Sequence, residues 1–162
     1  MLKDYQKDRL MVFLNPNSDP LGAGYTIIQS KIAIGSGRLM GKGWLGGTQG
    51  QLNFLPESHT DFIFGIFSEE TGFLGSLFLL GLYYTIIRSS FRIAGGSDDN
   101  FARFFAFGIG LMLAMQVYIN ISMTLGITPV VGLPLPLMSY GGSSMLVSFA
   151  SLGILQNIGK RG

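Results

Sequence analysis

The chain has 162 residues, of which 48% are hydrophobic and only 12% are charged, and a soluble domain of this length rarely has such proportions. Its net charge is +2 with the basic residues scattered, and it contains no cysteine, which argues against nucleic acid as a partner and excludes disulfides, thiolate metal sites and cysteine nucleophiles. Thirteen Phe and 24 Gly residues are typical of packed membrane helices. We therefore predict an all-α integral membrane protein.

Residues 1–61 lack an apolar run long enough to cross a bilayer. An apolar stretch over 8–14 and the helical spacing of Tyr25, Ile28 and Ile32 predict two short helices at the membrane surface. Trp44, in a Gly-rich stretch, has the amphipathic ring of an interfacial anchor. No signal-peptide pattern follows Met1, and we expect the chain to be part of a longer protein.

Three later segments are predicted to span the membrane, because each is apolar and near the about 20 residues that a spanning helix needs. They are residues 62–87, 101–125 and 143–158. A polar connection is predicted at 88–100, a Pro- and Gly-rich re-entrant segment at 126–142, and a short tail at 159–162.

The positive charges near these segments predict the orientation. Arg88, Arg92 and Arg103 lie at one end of the spans, and Lys160 and Arg161 fall at the same end. Short loops rich in Lys and Arg stay in the cytoplasm. Residues 1–61 and 126–142 are then on the outer face. Residues 1–61 contain basic residues of their own, but loops of about this length cross the membrane largely regardless of their charge.

A cluster of ionisable residues directly precedes the first predicted span. It contains Glu57, the sole histidine His59, Thr60 and Asp61. The ordinary interpretation is that Ser58 or Thr60 caps the following helix and that the acids favour its positive end. The functional interpretation is that Asp61 acts as a general base towards a hydroxyl substrate, or helps to hold a metal ion.

Glu69 and Glu70 lie about two helical turns further along the same predicted span. A carboxylate at that depth is unfavourable unless it is paired or protonated. We expect one of them to pair with a polar group on another helix, whose cation can lie within or outside this chain; a proton or ion pathway is the alternative.

Residues 126–142 cannot form a regular helix because Pro129, Pro134 and Pro136 interrupt them. Irregular backbone in a membrane is shielded by protein or lines a cavity, and a simple turn of the chain is the other interpretation. Ser139 and Tyr140 open the next predicted helix, whose free N–H groups could hold an anion such as a pyrophosphate.

Three basic residues, Lys31, Arg38 and Lys42, lie among glycines in the N-terminal region. Solvated surface charge is the ordinary interpretation of such a stretch, and the spacing is not that of a P-loop. Gln116 and Asn120 are four residues apart on the second span, a spacing that predicts an interhelical hydrogen bond.

Longer strings are more specific than these single residues. They are NPNSDPLGAGY at 15–25, GKGWLGGTQ at 41–49, FLPESHTDFIF at 54–64 and PVVGLPLPLMSYGGS at 129–143. In order and almost without a gap, they resemble the C-terminal half of the SEDS family (RodA, FtsW and SpoVE), and the first two strings are closest to its RodA branch.

The resemblance implies a ten-helix membrane protein that polymerises lipid II into peptidoglycan glycan strands on the outer face of the bacterial cytoplasmic membrane. It implies that Asp61, the aspartate of the HTDF motif, is catalytic. Lys31, Lys42, Glu57, His59, Thr60, Ser139 and Tyr140 are implied as candidate substrate contacts, whereas Arg38 stands where relatives often have Gly. The expected cofactor is a divalent cation, Mg²⁺ or Mn²⁺, held in part by Asp61, with no organic cofactor.

The partners implied are lipid II, a class B penicillin-binding protein, other membrane proteins of the elongation machinery and membrane lipids. Two other functions stay open. One is a lipid II flippase, because a Pro-broken segment near membrane carboxylates is a feature of transport sites. The other is a non-enzymatic scaffold for the penicillin-binding protein. Whichever of these functions is correct, we expect the 162-residue segment alone to be inactive.

Overall fold

The structure, a computed structural model, describes residues 11–13, 15, 22–44, 46–47 and 60–161. These residues form four long helices and a short helical stretch at 11–13, and no strand occurs among them. The four helices are α1 (Ala23–Ser36), α2 (Ile63–Gly96), α3 (Asn100–Thr124) and α4 (Gly142–Arg161). The prediction of an all-α fold is confirmed for this part of the chain.

Helices α2 and α3 form the centre of the fold, and both α1 and α4 pack against them. Each of the two is long and apolar enough to cross a membrane, and α4 is not in that class. One cluster of buried side chains joins α2, α3 and α4 and includes Ala106, Leu113 and Leu155. A second joins α2 and α3 to the Pro-rich segment through Phe64, Val117 and Leu135.

The connection between α2 and α3 is shorter than the sequence predicts. Residues 88–96 continue α2, and only Ser97, Asp98 and Asp99 separate the two helices. The edge of an apolar run marks where a helix meets water and does not mark where its hydrogen bonds stop. Asp99 begins α3 because its carboxylate accepts from the backbone N–H groups of Phe101 (3.3 Å) and Ala102 (3.2 Å).

Helix α2 is interrupted at Gly72, whose φ of 70° and ψ of −165° are not helical. In a continuous helix the N–H groups of Phe73 and Leu74 would donate to the carbonyls of Glu69 and Glu70. Instead they donate to the carbonyls of Arg38 (2.8 Å) and Leu39 (3.2 Å).

The two carbonyl groups left over are also taken by the segment that follows α1. The N–H of Lys42 donates to the Glu69 carbonyl (3.0 Å), and the N–H of Gly43 donates to the Glu70 carbonyl (3.1 Å). Residues 38–43, which we call the inserted loop, therefore replace the hydrogen bonds missing at the break, so that no backbone group of these two broken pairs stays buried and unbonded.

The inserted loop approaches α2 so closely that side chains are excluded at the contact. A Cβ atom on Gly41 would collide with the Glu70 carbonyl, and one on Gly72 would collide with the Gly41 nitrogen. Both glycines also have positive φ angles, 77° and 70°. The contact fixes the depth at which the inserted loop sits against α2.

Residues 125–141 connect α3 to α4 without regular secondary structure apart from short turns, as the prolines predict. The segment packs inward, since Leu135 is fully buried. The hydroxyl of Tyr83 on α2 donates to the Pro136 carbonyl over 2.7 Å, which holds the segment against α2.

Candidate active site

Asp61 lies in a turn directly before α2, whose N-cap residue is Phe62. Phe62 makes no side-chain capping bond, so the N-cap position is not occupied by Thr60, and Ser58, the other predicted cap, lies outside the described residues. Asp61 is half-buried, and a Cβ atom built on Gly132 would be 3.2 Å from its Oδ2 atom. The carboxylate therefore lies between the start of α2, where the helix dipole favours negative charge, and the Pro-rich segment.

Asn120 on α3 connects these two parts of the site. Its Nδ2 group donates to the Asp61 carbonyl over 3.0 Å and to the Leu133 carbonyl over 2.7 Å. The polar spacing on α3 predicts a bond from this residue to another helix, and that prediction is wrong because both acceptors lie in non-helical backbone. No hydrogen bond from Gln116 occurs among the described residues.

Ser139 holds the same turn from the other side. Its hydroxyl donates to the Thr60 carbonyl over 2.6 Å and accepts from the Leu135 N–H over 2.7 Å. The residue is buried, and both bonds are within the protein. The structure thus uses Ser139 to join the Pro-rich segment to the residue before Asp61, a different role from the substrate contact that the sequence predicts.

Tyr140, in contrast, is 82% exposed. It lines a cavity of about 590 Å³ that also involves Ile63 and Ser139 and runs along the start of α4. Of the lining residues, Ile63 is two residues after Asp61 in the chain, and Asp61 itself is not part of the lining. A cavity of this size is within the range that small-molecule sites occupy.

Lys31 lies on α1 and is exposed. Its side chain covers Gly126, where a Cβ atom would collide with the lysine Cε atom. On the same helix, the Ser30 hydroxyl donates to the Thr124 carbonyl over 2.9 Å at the end of α3. These contacts put Lys31 at the start of the Pro-rich segment, on a different helix from Asp61.

Lys42 and Glu69 form a separate cluster. The Lys42 ammonium is 2.6 Å from Oε1 of Glu69, which is fully buried, while the lysine side chain is 31% exposed. The Ser36 hydroxyl contacts the same oxygen at 3.4 Å. The carboxylate is therefore paired as expected, but its cation is in the inserted loop of this chain and not on another helix. Lys42 is then more than a solvated surface charge.

The remaining predicted residues fall into two groups. Glu70 is half-buried beside Glu69, with no ion pair of its own among the described residues. Glu57 and His59 lie outside the residues that the structure describes. Within the described ranges, no group of three or more His, Cys, Asp or Glu side chains is placed to bind a metal.

Sequence reasoning missed two parts of the site. One is the role of Asn120. Its polar side chain in an apolar helix predicts a hydrogen bond, but the sequence does not show that the acceptors are the carbonyls of Asp61 and Leu133. The other is Gly132, where the close approach of the Pro-rich segment to Asp61 depends on tertiary packing. A glycine in the motif GLPLP was the available signal, and nothing local to it points to a carboxylate 71 residues earlier in the chain.

Comparisons with known proteins agree with this geometry. A family model described as a cell cycle protein, FtsW/RodA/SpoVE, matches residues 1–161. The peptidoglycan glycosyltransferase MrdB of Escherichia coli strain K12 is 56% identical over 158 residues, which are 98% of this chain and 43% of that protein. The peptidoglycan glycosyltransferase RodA of Treponema pallidum is 46% identical over 161 residues, 99% of this chain and 37% of that protein.

A solved structure agrees as well. A chain of a peptidoglycan synthase complex that coordinates polymerization and crosslinking is similar with a TM-score of 0.75 and 35% identity, over 98% of this chain and 43% of that one. The 162 residues thus span less than half the length of each of these relatives. The resemblance that the sequence strings indicate is confirmed.

Proposed function

Because the chain belongs to the FtsW/RodA/SpoVE family of cell cycle proteins, we propose that it is part of a peptidoglycan glycosyltransferase that polymerises lipid II during cell elongation. Two relatives that carry the name peptidoglycan glycosyltransferase match 98% and 99% of it. The observation that carries the proposal is the position of Asp61, a half-buried carboxylate directly before α2, in a turn held through its main chain and close to Gly132 of the Pro-rich segment.

The proposed reaction is a glycosyl transfer in which Asp61 takes one proton. The 4-hydroxyl of the acceptor sugar attacks the anomeric carbon of the donor, and its proton passes to the Asp61 carboxylate. The bond between the anomeric carbon and the pyrophosphate oxygen breaks, and undecaprenyl pyrophosphate leaves with the electron pair of that bond. A base held within hydrogen-bond reach of the hydroxyl accelerates such a reaction about 10²–10⁴-fold.

A divalent cation, Mg²⁺ or Mn²⁺, fits this site only as one shared with the substrate. Mg²⁺ is commonly held by one or two carboxylates together with substrate phosphates, and Asp61 is the carboxylate available among the described residues at the start of α2. Bound there, the cation would stabilise the charge that develops on the leaving pyrophosphate. Lys31 and Tyr140 are our candidates for further substrate contacts, with Glu57, His59 and Thr60 in the adjoining chain.

We place the turn that contains Asp61 on the outer face of the bacterial cytoplasmic membrane, with the connection between α2 and α3 in the cytoplasm. The support is the group of Arg88, Arg92 and Arg103 around that connection. A class B penicillin-binding protein is the proposed partner, since the similar solved chain belongs to a complex that couples polymerization to crosslinking.

The decisive experiment substitutes Asp61 in the full-length protein reconstituted with lipid II. Asp61→Asn keeps the side-chain shape and removes the base, so glycan polymerisation should fall by at least about 10². Asp98→Asn is the matched control, because it makes the same chemical change at an exposed carboxylate between α2 and α3. Glu57→Gln and His59→Ala should cost less than Asp61→Asn. Near-normal synthesis by Asp61→Asn would exclude this role for Asp61.

A lipid II flippase is the second candidate, and the interrupted helix with a buried carboxylate favours it. Broken helices at transport sites present unbonded backbone groups to the substrate. Here the inserted loop bonds the four groups at the break, and Lys42 pairs with Glu69, which weakens that likeness. Assays of flipping and polymerisation on one reconstituted sample separate the two activities, and a scaffold would show neither.

A further inference from the structure

Asn120 is fully buried on α3 and forms hydrogen bonds to two separate segments. One bond goes to the main-chain carbonyl of Asp61, and the other goes to the carbonyl of Leu133. The side-chain amide has two N–H hydrogens, so both of its donors are in use. A single side chain therefore joins the turn before α2 to the Pro-rich segment across the site.

The two acceptors belong to the two segments that meet at the candidate base. The Asp61 carbonyl belongs to the same residue as the carboxylate, and Leu133 is the neighbour of Gly132, whose backbone is close to Asp61 Oδ2. Moving either carbonyl away from Asn120 would change the gap between the carboxylate and the Pro-rich segment. The amide thus determines where the carboxylate is held, although it does not contact it.

The remaining oxygen of the amide, Oδ1, is buried and has no hydrogen-bond partner among the described residues. A buried polar atom without a partner lowers stability, and an apolar side chain at this position would avoid that loss. The amide orientation is nevertheless determined, because reversing it would point Oδ1 at two carbonyl oxygens. These features are typical of a residue retained for its two donors.

We propose that Asn120 is the positioning residue of Asp61, holding the carboxylate at the distance from the Pro-rich segment that the reaction requires. The inference rests on the proposed function, since it takes Asp61 as the base. Its consequence is specific: loss of Asn120 should reduce the rate of the chemical step through Asp61 and should leave lipid II binding almost unchanged.

The test compares Asn120→Leu with Gln116→Leu in the full-length protein, with lipid II as the substrate. Gln116 is one turn away on the same helix and is half-buried, so it reports the cost of losing an amide from α3. Because a misplacement of about 1 Å can cost about 10² in rate, we expect Asn120→Leu to lower kcat by about tenfold to 10²-fold. KM for lipid II should change by less than about twofold, and Gln116→Leu should leave both values near those of the unsubstituted protein.

A double-mutant cycle with Asp61→Asn distinguishes positioning from general stability. If Asn120 acts through Asp61, adding Asn120→Leu to Asp61→Asn should cause no further loss of rate. Asn120→Asp is the second variant, because it keeps the side-chain size and removes at least one donor, and it should show the same non-additivity if Asn120→Leu does not fold. Thermal unfolding of each variant identifies those that do.

Three outcomes would overturn the inference. Equal effects of Asn120→Leu and Gln116→Leu would do so, as would an additive loss in the double variant with Asp61→Asn. In both cases a large loss from Asp61→Asn alone would leave the proposed function standing. Full activity of Asp61→Asn would overturn the proposed function and the positioning role together.

Discussion

Glu69 has no exposed surface, and its single described cation, Lys42, reaches it from a segment that otherwise contacts α2 through the main chain. Removing one partner of a buried ion pair leaves the other charge uncompensated, at a cost of about 3–5 kcal/mol when both are buried. Lys42 is 31% exposed, so water recovers part of that cost. The pair therefore stabilises the attachment of the inserted loop less than a fully enclosed pair would.

We predict that Glu69→Gln lowers the free energy of unfolding by about 1–3 kcal/mol, because the buried acceptor of a charged donor is weakened. Glu70→Gln is the matched control, with the same chemical change one residue away at a half-buried position, and it should stay within about 0.5 kcal/mol. Thermal unfolding of the full-length protein measures both. Equal effects at the two positions would contradict the pairing as the source of the difference.

At the scale of elements, the break in α2 and the inserted loop form one unit, because each supplies the hydrogen bonds that the other lacks. Glycine is required at the break for both its dihedral angles and the space beside it. A residue forced into a sparsely populated backbone conformation costs about 1–3 kcal/mol. This unit is in α2, the helix that Asp61 precedes, between two and three turns beyond its start.

Gly72→Ala should therefore destabilise the protein by at least about 2 kcal/mol, since a collision with Gly41 adds to the backbone strain. Gly81→Ala is the control on the same helix, where nothing lies within 4 Å of the added Cβ; there alanine should be neutral or stabilising by up to about 1 kcal/mol. Denaturation in detergent compares the two. A tolerated Gly72→Ala would show that α2 can become continuous without the inserted loop.

The sequence predicts the helices better than it predicts the connections between them. Apolar length located α2, α3 and α4, and the prolines located the irregular segment. The predicted loop over 88–100 is too long, because hydropathy reports contact with lipid whereas the hydrogen bonds of α2 continue beyond its apolar run to Gly96. The break at Gly72 has no local signal, because nothing in the string Glu-Glu-Thr-Gly predicts it. The break depends on the hydrogen bonds that the inserted loop makes to α2.

The site shows the same division between local and tertiary information. Asp61 was found from its motif and from its place before an apolar span. The acceptors of Asn120, the bond from Ser139 to Thr60 and the cation of Glu69 each depend on contacts over 13 to 79 residues of chain. Patterns of spacing within one helix carry no information about such partners, so residue types were predicted better than their roles.

At the scale of the whole molecule, α2 and α3 present many large apolar side chains outward, among them Phe73, Phe78, Phe104 and Tyr118. Lipid or further helices must cover such surfaces. The chain spans 43% of the length of the E. coli relative.

We predict that the 162-residue segment alone does not polymerise lipid II in vesicles, because α2 and α3 leave large apolar side chains exposed that lipid or further helices would have to cover. The full-length protein under the same conditions is the control. Glycan synthesis by the isolated segment would show that α1 to α4 and the described site residues are sufficient.

The absence of cysteine from the sequence allows a direct test of orientation. A single cysteine placed in this segment of a full-length protein, with cysteines elsewhere replaced, can be labelled from one side of the membrane by an impermeant maleimide. Tyr140→Cys and Asp98→Cys are suitable positions because both residues are exposed and are separated by the length of α3. If Asp61 works on the outer face, position 140 should react in intact cells from outside.

Position 98 should then react only after the membrane is opened, because the arginines around the connection between α2 and α3 keep it in the cytoplasm. Labelling of denatured protein at both positions controls for expression. Reaction of position 98 and not of position 140 from outside would reverse the topology, and it would put Asp61 on the face where an outer-leaflet polymerase has no substrate. Reaction at both positions would show that α3 does not span the membrane, against its length and composition.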